Sequence, residues 1–237
     1  MGEIAAIILG AGKGKRLKRK TSKAFVSLGG RPLLYYSLRT FEYHPRIESI
    51  ILVVRTQDFE KARSLIRKYK FRKVRKIVKG GRERVDSVWN ALKEIDFDPE
   101  YLLVHDSARP FLDKNLITRI LKALKKYKAV IPGVRVQDTL KEVGEGNIVK
   151  KTLLREKIWF IQTPQGFRWE VLKKIINQPK FKLKPVYDDA CLIEAKEKVK
   201  VVPGSFFNFK ITTSEDLFLA NLYLFYRKDF YESRFRV

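Results

Sequence analysis

Short apolar runs alternate with longer stretches of helical period along most of this sequence. That alternation limits the fold more than any single residue does. Residues 4–9, 49–54, 73–78, 101–105, 129–132 and 199–202 are mostly apolar on consecutive positions and rich in β-branched side chains, as strands covered on both faces are. Between them, residues 32–42, 58–70, 84–95 and 114–126 space their apolar side chains three and four apart, the stripe of a helix that lays one face on a sheet. Pro32 suits a first helical turn, and Asp113 or Lys114 opens another helix after Arg109-Pro110. The repeated strand–helix order predicts an α/β fold with a doubly wound, mostly parallel sheet. Ligands of such a sheet lie beyond the carboxyl ends of its strands.

One segment breaks the rhythm. Residues 134–143 and 147–153 read as two strands joined at Gly144-Glu145-Gly146-Asn147, a β-hairpin that either extends the sheet or projects from it as an arm. Then come a strand at 158–163, a helix near Trp169–Ile176, a loop at 178–185, a helix from Asp188 and a closing helix over Ser214–Tyr226, with Ser214 as its N-cap. There is no internal repeat and no long linker, so residues 1–237 read as one domain carrying 134–153 as an arm.

Charge narrows the function without fixing it. The 237 residues include 51 Lys and Arg against 26 Asp and Glu, a net charge of +25. That surplus fits a nucleic-acid partner, a cleft for small anions, or a solvated basic surface. An apolar content of 45% excludes a disordered basic tail. No apolar run approaches the ~18 residues of a membrane helix. The run at 4–9 precedes its basic cluster, the reverse of a signal peptide. A cytoplasmic protein with no membrane partner is expected. One cysteine, Cys191, and two histidines leave no disulfide framework and no Cys/His zinc cage.

The first strand runs into Gly10-Ala11-Gly12-Lys13-Gly14-Lys15-Arg16. Glycines let backbone amides approach an anion, and the basic residues add charge. The spacing matches neither the P-loop nor the dinucleotide fingerprint. It fits a loop wrapped around a triphosphate, with Arg16 as a fork and Lys23 as a point charge; the alternative is an ordinary turn with solvated lysines. Gly80-Gly81 before a helix offers a second close approach, for a base or ribose, or a simple cap. Asp106, at the end of the fourth strand, is placed as a Mg²⁺ ligand with Arg109 as an anion clamp, unless the two form a structural ion pair. His105 reads as a packed strand residue and Cys191 as core packing. Gln162-Thr163-Pro164-Gln165 reads as an extended loop, Asp188-Asp189 as a helix cap, and Lys210 as a phosphate contact.

Taken in order, GAGKGKR with Lys23, GGRERVDSV, VHDSARP, LREKIWFIQTPQGF, YDDACLIE and NFKITTSEDL resemble the 2-C-methyl-D-erythritol 4-phosphate cytidylyltransferase family over residues 3–226. The resemblance implies a Rossmann-like nucleotidyltransferase fold with a projecting hairpin arm, and homodimers formed through the arms. It implies transfer of CMP from CTP to the sugar-alcohol phosphate with Mg²⁺, releasing pyrophosphate, in the non-mevalonate route to isoprenoids. By the same resemblance, Arg16 and Lys23 would bind the triphosphate and stabilise charge at the α-phosphorus. Gly10, Ala11, Gly12, Gly14, Gly81 and Ser87 would hold the nucleotide, and Asp106 would ligate the metal. Arg109, Thr139, Arg155 and Lys210 would hold the acceptor phosphate, some of them from the partner's arm; Arg155 and Lys210 count with Arg16 and Lys23 as catalytic cations. Asp188 would lie near the acceptor.

This sequence departs from the family pattern at several places. Ser22 and Ala24 flank Lys23 where Pro and Gln are usual, Arg82 and Leu154 stand where acids are common, and Tyr187 replaces a usual Thr. Two other readings stand beside the first: a cytidylyltransferase for ribitol 5-phosphate or another polyol phosphate, and a basic nucleic-acid-binding protein. The second lacks visible stacking motifs or a groove-reading helix.

Overall fold

The apolar runs become strands in the computed structural model, which describes residues 2–12, 14–17, 21–176 and 188–226. In chain order the elements are β1 (Ile4–Leu9), β2 (Ser27–Leu28), β3 (Arg31–Pro32), α1 (Leu33–Glu42), β4 (Ser49–Val54), α2 (Phe59–Tyr69), β5 (Val74–Lys79), α3 (Arg84–Lys93), β6 (Tyr101–Asp106), α4 (Lys114–Leu124) and β7 (Ala129–Arg135). They continue as β8 (Leu140–Val143), β9 (Val149–Leu153), β10 (Trp159–Ile161), β11 (Gln165–Arg168), α5 (Trp169–Ile176), β12 (Val199–Pro203) and α6 (Ser214–Tyr226).

β5, β4, β1 and β6 lie side by side and parallel. β11 then runs antiparallel between β6 and β7, and β12 pairs parallel with β7 on the other flank. β10 shares the β11 flank of β7 further along, pairing Phe160 with Val134. Alternation along β1 divides the core into two layers, because successive side chains leave a strand on opposite faces. Ile4, Ala6 and Ile8 join a cluster with Leu34, Leu38 and Phe41 of α1, Ile117 and Ile120 of α4, and Leu217 and Ala220 of α6. Ala5 and Ile7 join a second cluster with Val88, Ala91 and Leu92 of α3 and Val171 and Leu172 of α5. Helices thus cover both faces, as the doubly wound reading expects. Among the described residues, no helix is long and apolar enough to cross a membrane.

Five expectations need correction. Val134 and Arg135 belong to β7, so the projecting ladder is shorter: Leu140 faces Leu153 and Val143 faces Val149. Its turn places Gly146 and Asn147 in left-handed backbone, with φ of 65° and 61°. Gln165 opens the central strand β11 and is not in a loop; polar residues at the bend after a cis Thr163–Pro164 peptide hid it. The helix expected from Asp188 is only a 3₁₀ turn at Ala190–Leu192, where Cys191 is half-buried and not core. Finally, α6 is capped reciprocally by Thr213, whose Oγ1 accepts the Asp216 amide while the Asp216 carboxylate accepts the Thr213 amide; Ser214 is the first helical residue. The loop expected at 178–185 lies outside the described residues.

The basic run from 61 to 84 also has a location now. β5 is the sheet's edge, and Arg75 and Lys79 stand exposed on it, where charge discourages pairing with another strand. Lys61, Arg67, Lys68 and Lys70 are likewise exposed on and just after α2.

Candidate active site

Because β1, β4, β5 and β6 run parallel, their carboxyl ends open on one side of the sheet. A cleft of ≈ 340 Å³ lies there. Gly10, Ala11, Gly12, Gly14 and Arg16 border it after β1, Arg55 after β4, Gly81, Arg82, Arg84 and Ser87 after β5, and Asp106 at the end of β6; Lys23 and Lys210 reach in from the side. Leu17 and Ala24 are buried in the core, which pins the loop and leaves Arg16 exposed and Lys23 half-buried.

Two glycines are required by this geometry. Gly14 has φ +64°, and a Cβ there would lie 3.1 Å from that of Lys23. A Cβ on Gly80 would lie 2.2 Å from the Ala11 side chain, so the loops after β1 and β5 touch only because residue 80 has none. Ser87 braces the second loop: its Oγ accepts the Gly81 amide at 3.0 Å and donates to the Glu83 carbonyl at 3.2 Å.

Asp106 is the centre of the charge arrangement. Its Oδ1 accepts from Arg84 Nε at 3.0 Å, and its Oδ2 meets Lys210 Nζ at 2.8 Å. Burial alone would raise this carboxyl, but Arg84 and Lys210 outweigh it and hold it well below the usual carboxylate range. Its backbone amide donates to Thr163 Oγ1 at 3.1 Å, and that hydroxyl lies 3.0 Å from His105 Nδ1. His105 Nε2 faces the Arg109 carbonyl at 3.3 Å. A carbonyl only accepts, so Nε2 carries the proton and Nδ1 accepts from Thr163. Burial pushes the imidazole down to about 3, which keeps it neutral. Lys23 is lowered to about 8, first by burial and then by Lys210.

Of the residues singled out from sequence, Gly10, Ala11, Gly12, Gly14, Arg16, Lys23, Gly81, Ser87, Asp106 and Lys210 converge on this cleft. Four do not. Arg109 does not pair its side chain with Asp106: Nη1 donates to the Asn208 carbonyl at 2.7 Å, and Nε is buried without a partner among the described residues. Arg109 therefore fixes the segment that carries Lys210. Thr139 and Arg155 are exposed beside the hairpin, where Arg155 Nη1 donates to the Gln137 carbonyl at 2.6 Å. Asp188 takes hydrogen bonds from Gln165 Nε2 at 2.8 Å and from the Cys191 amide at 3.0 Å; it does not border the cleft.

Arg55, Arg84, Thr163 and Asp189 matter more than sequence reasoning had them. Arg55 had a signal, since it directly follows β4 just as Gly10 follows β1. Asp189 had none: its pairing with Arg84 spans 105 positions.

A model of the IspD family, 2-C-methyl-D-erythritol 4-phosphate cytidylyltransferase, matches residues 4–226. The 2-C-methyl-D-erythritol 4-phosphate cytidylyltransferase of Alkaliphilus metalliredigens (strain QYMF) is 42% identical over 229 residues, covering 96% of this chain and 95% of that protein. The crystal structure of 4-diphosphocytidyl-2C-methyl-D-erythritol synthase from Anaerococcus prevotii DSM 20548 is similar at a TM-score of 0.82 and 36% identity, over 94% of this chain and 96% of that one. The 2-C-methyl-D-erythritol 4-phosphate cytidylyltransferase of Thermus thermophilus is similar at a TM-score of 0.74 and 29% identity, over 93% and 98%.

Proposed function

The chain belongs to the 2-C-methyl-D-erythritol 4-phosphate cytidylyltransferase family, and from that premise we propose that the cleft above Asp106 is where CMP passes from CTP to 2-C-methyl-D-erythritol 4-phosphate. The products are 4-diphosphocytidyl-2-C-methyl-D-erythritol and pyrophosphate. The observation that carries the reading is the convergence of Arg16, Lys23 and Lys210 with two glycine-lined loops around a single buried carboxylate.

The chemistry needs little beyond charge and position. An oxygen of the acceptor phosphate attacks the α-phosphorus, and the bond to the β-phosphate oxygen breaks as pyrophosphate leaves. The nucleophile is already anionic, so no general base is required. The obstacle is bringing two polyanions together and spreading charge in the transition state. Arg16 and Lys23 meet the triphosphate, residues 10–12 with Gly81 and Ser87 seat the cytidine, and Lys210 meets the acceptor side. Preorganised cations of this kind lower the barrier without reorganising during reaction.

Asp106 is the residue that would hold Mg²⁺. No cluster of three metal-ligating side chains occurs among the described residues, but Mg²⁺ typically binds one or two carboxylates with substrate phosphates and water. Lys210, 38% exposed, has room to swing from Oδ2 toward a phosphate. The ion would draw charge from the leaving pyrophosphate.

The hairpin is read as a dimer contact that carries Thr139 and Arg155 over the partner's cleft. Val143, Ile148, Val149 and Leu154 are exposed on and beside it, and a lone two-stranded hairpin is marginal in water. On this reading the chain is one nucleotidyltransferase domain with an arm, working in the cytoplasm.

Pyrophosphate release with CTP tests the acceptor. It is expected with 2-C-methyl-D-erythritol 4-phosphate and at least ~100-fold slower with ribitol 5-phosphate, since a site built to pair hydroxyls rejects mismatched ones strongly. Equal or faster release with ribitol 5-phosphate would reassign the acceptor; release with neither would overturn the reading.

A pH dependence follows from Lys23. Its charged form binds the triphosphate, and in the free protein that form is lost as pH rises through about 8. CTP affinity is therefore expected to be full below this value and to weaken above it, by up to about tenfold per pH unit, with proton uptake on binding. Lys23→Arg keeps its charge and should flatten the profile. Titration calorimetry across this range, in buffers of different ionisation enthalpy, checks both; a flat wild-type profile would contradict the assignment.

A further inference from the structure

The cation that touches Asp106 is itself held from behind. Arg84 gives its two terminal nitrogens to Asp189, Nη1 to Oδ1 at 2.6 Å and Nη2 to Oδ2 at 2.7 Å. Among the described residues, Nε is the Arg84 nitrogen that reaches Asp106, at Oδ1. The Asp189 side chain is 3% exposed, and its position is built in: Gln165 Oε1 accepts the amides of both Asp189 and Ala190 at 3.1 Å. Gln165 is itself 1% exposed and lies in β11, between β6 and β7.

A guanidinium prefers a two-pronged grip on a carboxylate. Asp189 grips the guanidinium end-on and so fixes an orientation in which Nε meets Asp106 through one oxygen. Oδ2 then stays turned toward Lys210 and the open site. Without the Asp189 charge, the nearest carboxylate for the fork is Asp106, and its second oxygen would be drawn off the cleft. We infer that Asp189 is a positioning residue for the transfer, keeping the Arg84 fork off Asp106. The inference rests on the cleft reading given above.

The test is a kinetic cycle with CTP binding measured alongside. Asp189→Asn keeps size and removes charge. It is expected to lower kcat by ~30-fold or more and to leave the CTP Kd within about threefold, because neither glycine loop nor Lys23 is touched. Turnover is counted per folded molecule, at a temperature well below each variant's melting midpoint. Asp189 acts through Arg84, so Asp189→Asn combined with Arg84→Gln should be no worse than the weaker single variant; independent structural damage would multiply. Losses that multiply, or a kcat for Asp189→Asn within about threefold of wild type, would overturn the inference. Arg84→Lys covers the case in which Asp189→Asn does not fold: an ammonium lacks the planar fork that grips Asp189 while a separate Nε orients Asp106, so the same kcat-only loss is expected, and wild-type turnover contradicts the inference. Failure of the cleft reading looks different. There, Lys23→Ala leaves both CTP binding and turnover unchanged, whatever Asp189→Asn does.

Discussion

Lys23→Ala is expected to lower kcat by roughly 10²–10³-fold, the usual cost of removing one preorganised stabiliser of transition-state charge. It should leave the protein folded and as heat-stable as before, or slightly more so. Lys23 is half-buried, and its charged form is disfavoured first by burial and then by Lys210, with Arg16 adding a smaller repulsion. The neighbouring Ala24 and Leu17, not the ammonium, supply the packing. Below the lowered pKa of about 8 the free protein therefore holds a cation that it stabilises poorly. A triphosphate would relieve that, and alanine would relieve it too. A fall in turnover without a fall in melting temperature is the pattern of a residue kept for function at some cost to stability. Saturating steady-state kinetics with a thermal melt checks it. Wild-type turnover, or a large loss of stability, would remove Lys23 from its role.

The second large effect concerns the arm. Arg155→Ala is expected to be nearly inactive if Arg155 serves the partner's cleft, and Lys23→Ala nearly inactive in its own. Mixing the two inactive homodimers and allowing subunits to exchange should restore activity. In a two-fold symmetric dimer each mixed molecule has one cleft with both defects and one with neither. With random exchange half of the dimers are mixed, so recovery should approach about a quarter of the wild-type rate. The exposed position of Arg155, bonded to the Gln137 carbonyl at the base of the hairpin and absent from its own cleft, motivates the test. Mixtures that stay as inactive as their components, after exchange is verified, would place Arg155 in its own subunit or outside the reaction.

What the sequence made legible follows from the range of the forces involved. β1 and the loop after it were readable because a continuous apolar run stopped at glycines, and both signals are local. The same holds for Gly80-Gly81 ahead of α3 and for Asp106 at the end of β6. β11 was not readable: Gln165 belongs to the strand yet is polar, because its amide ties down the turn at 188–190 from more than twenty positions away. Arg84 looked like the first residue of a helix and is one, but its chemistry lies in contacts with Asp106 and Asp189 that no spacing rule encodes. Asp188 and Asp189 were told apart only by the fold, which turns the second toward Arg84 and the first toward Gln165. The positive surplus was the least specific signal. Part of it lines the cleft, part guards the β5 edge, and part is tied up in contacts elsewhere, such as the Lys128–Glu197 and Lys173–Asp98 ion pairs.

On the proposed reading, CTP would lie across the carboxyl ends of β1, β5 and β6. A crystal structure of the protein with CTP measures that location directly. The cytosine is expected against residues 10–12, Gly81 and Ser87, with the triphosphate within hydrogen-bond reach of Arg16 and Lys23. A nucleotide bound elsewhere, or one in this cleft whose phosphates point away from both cations, would contradict it.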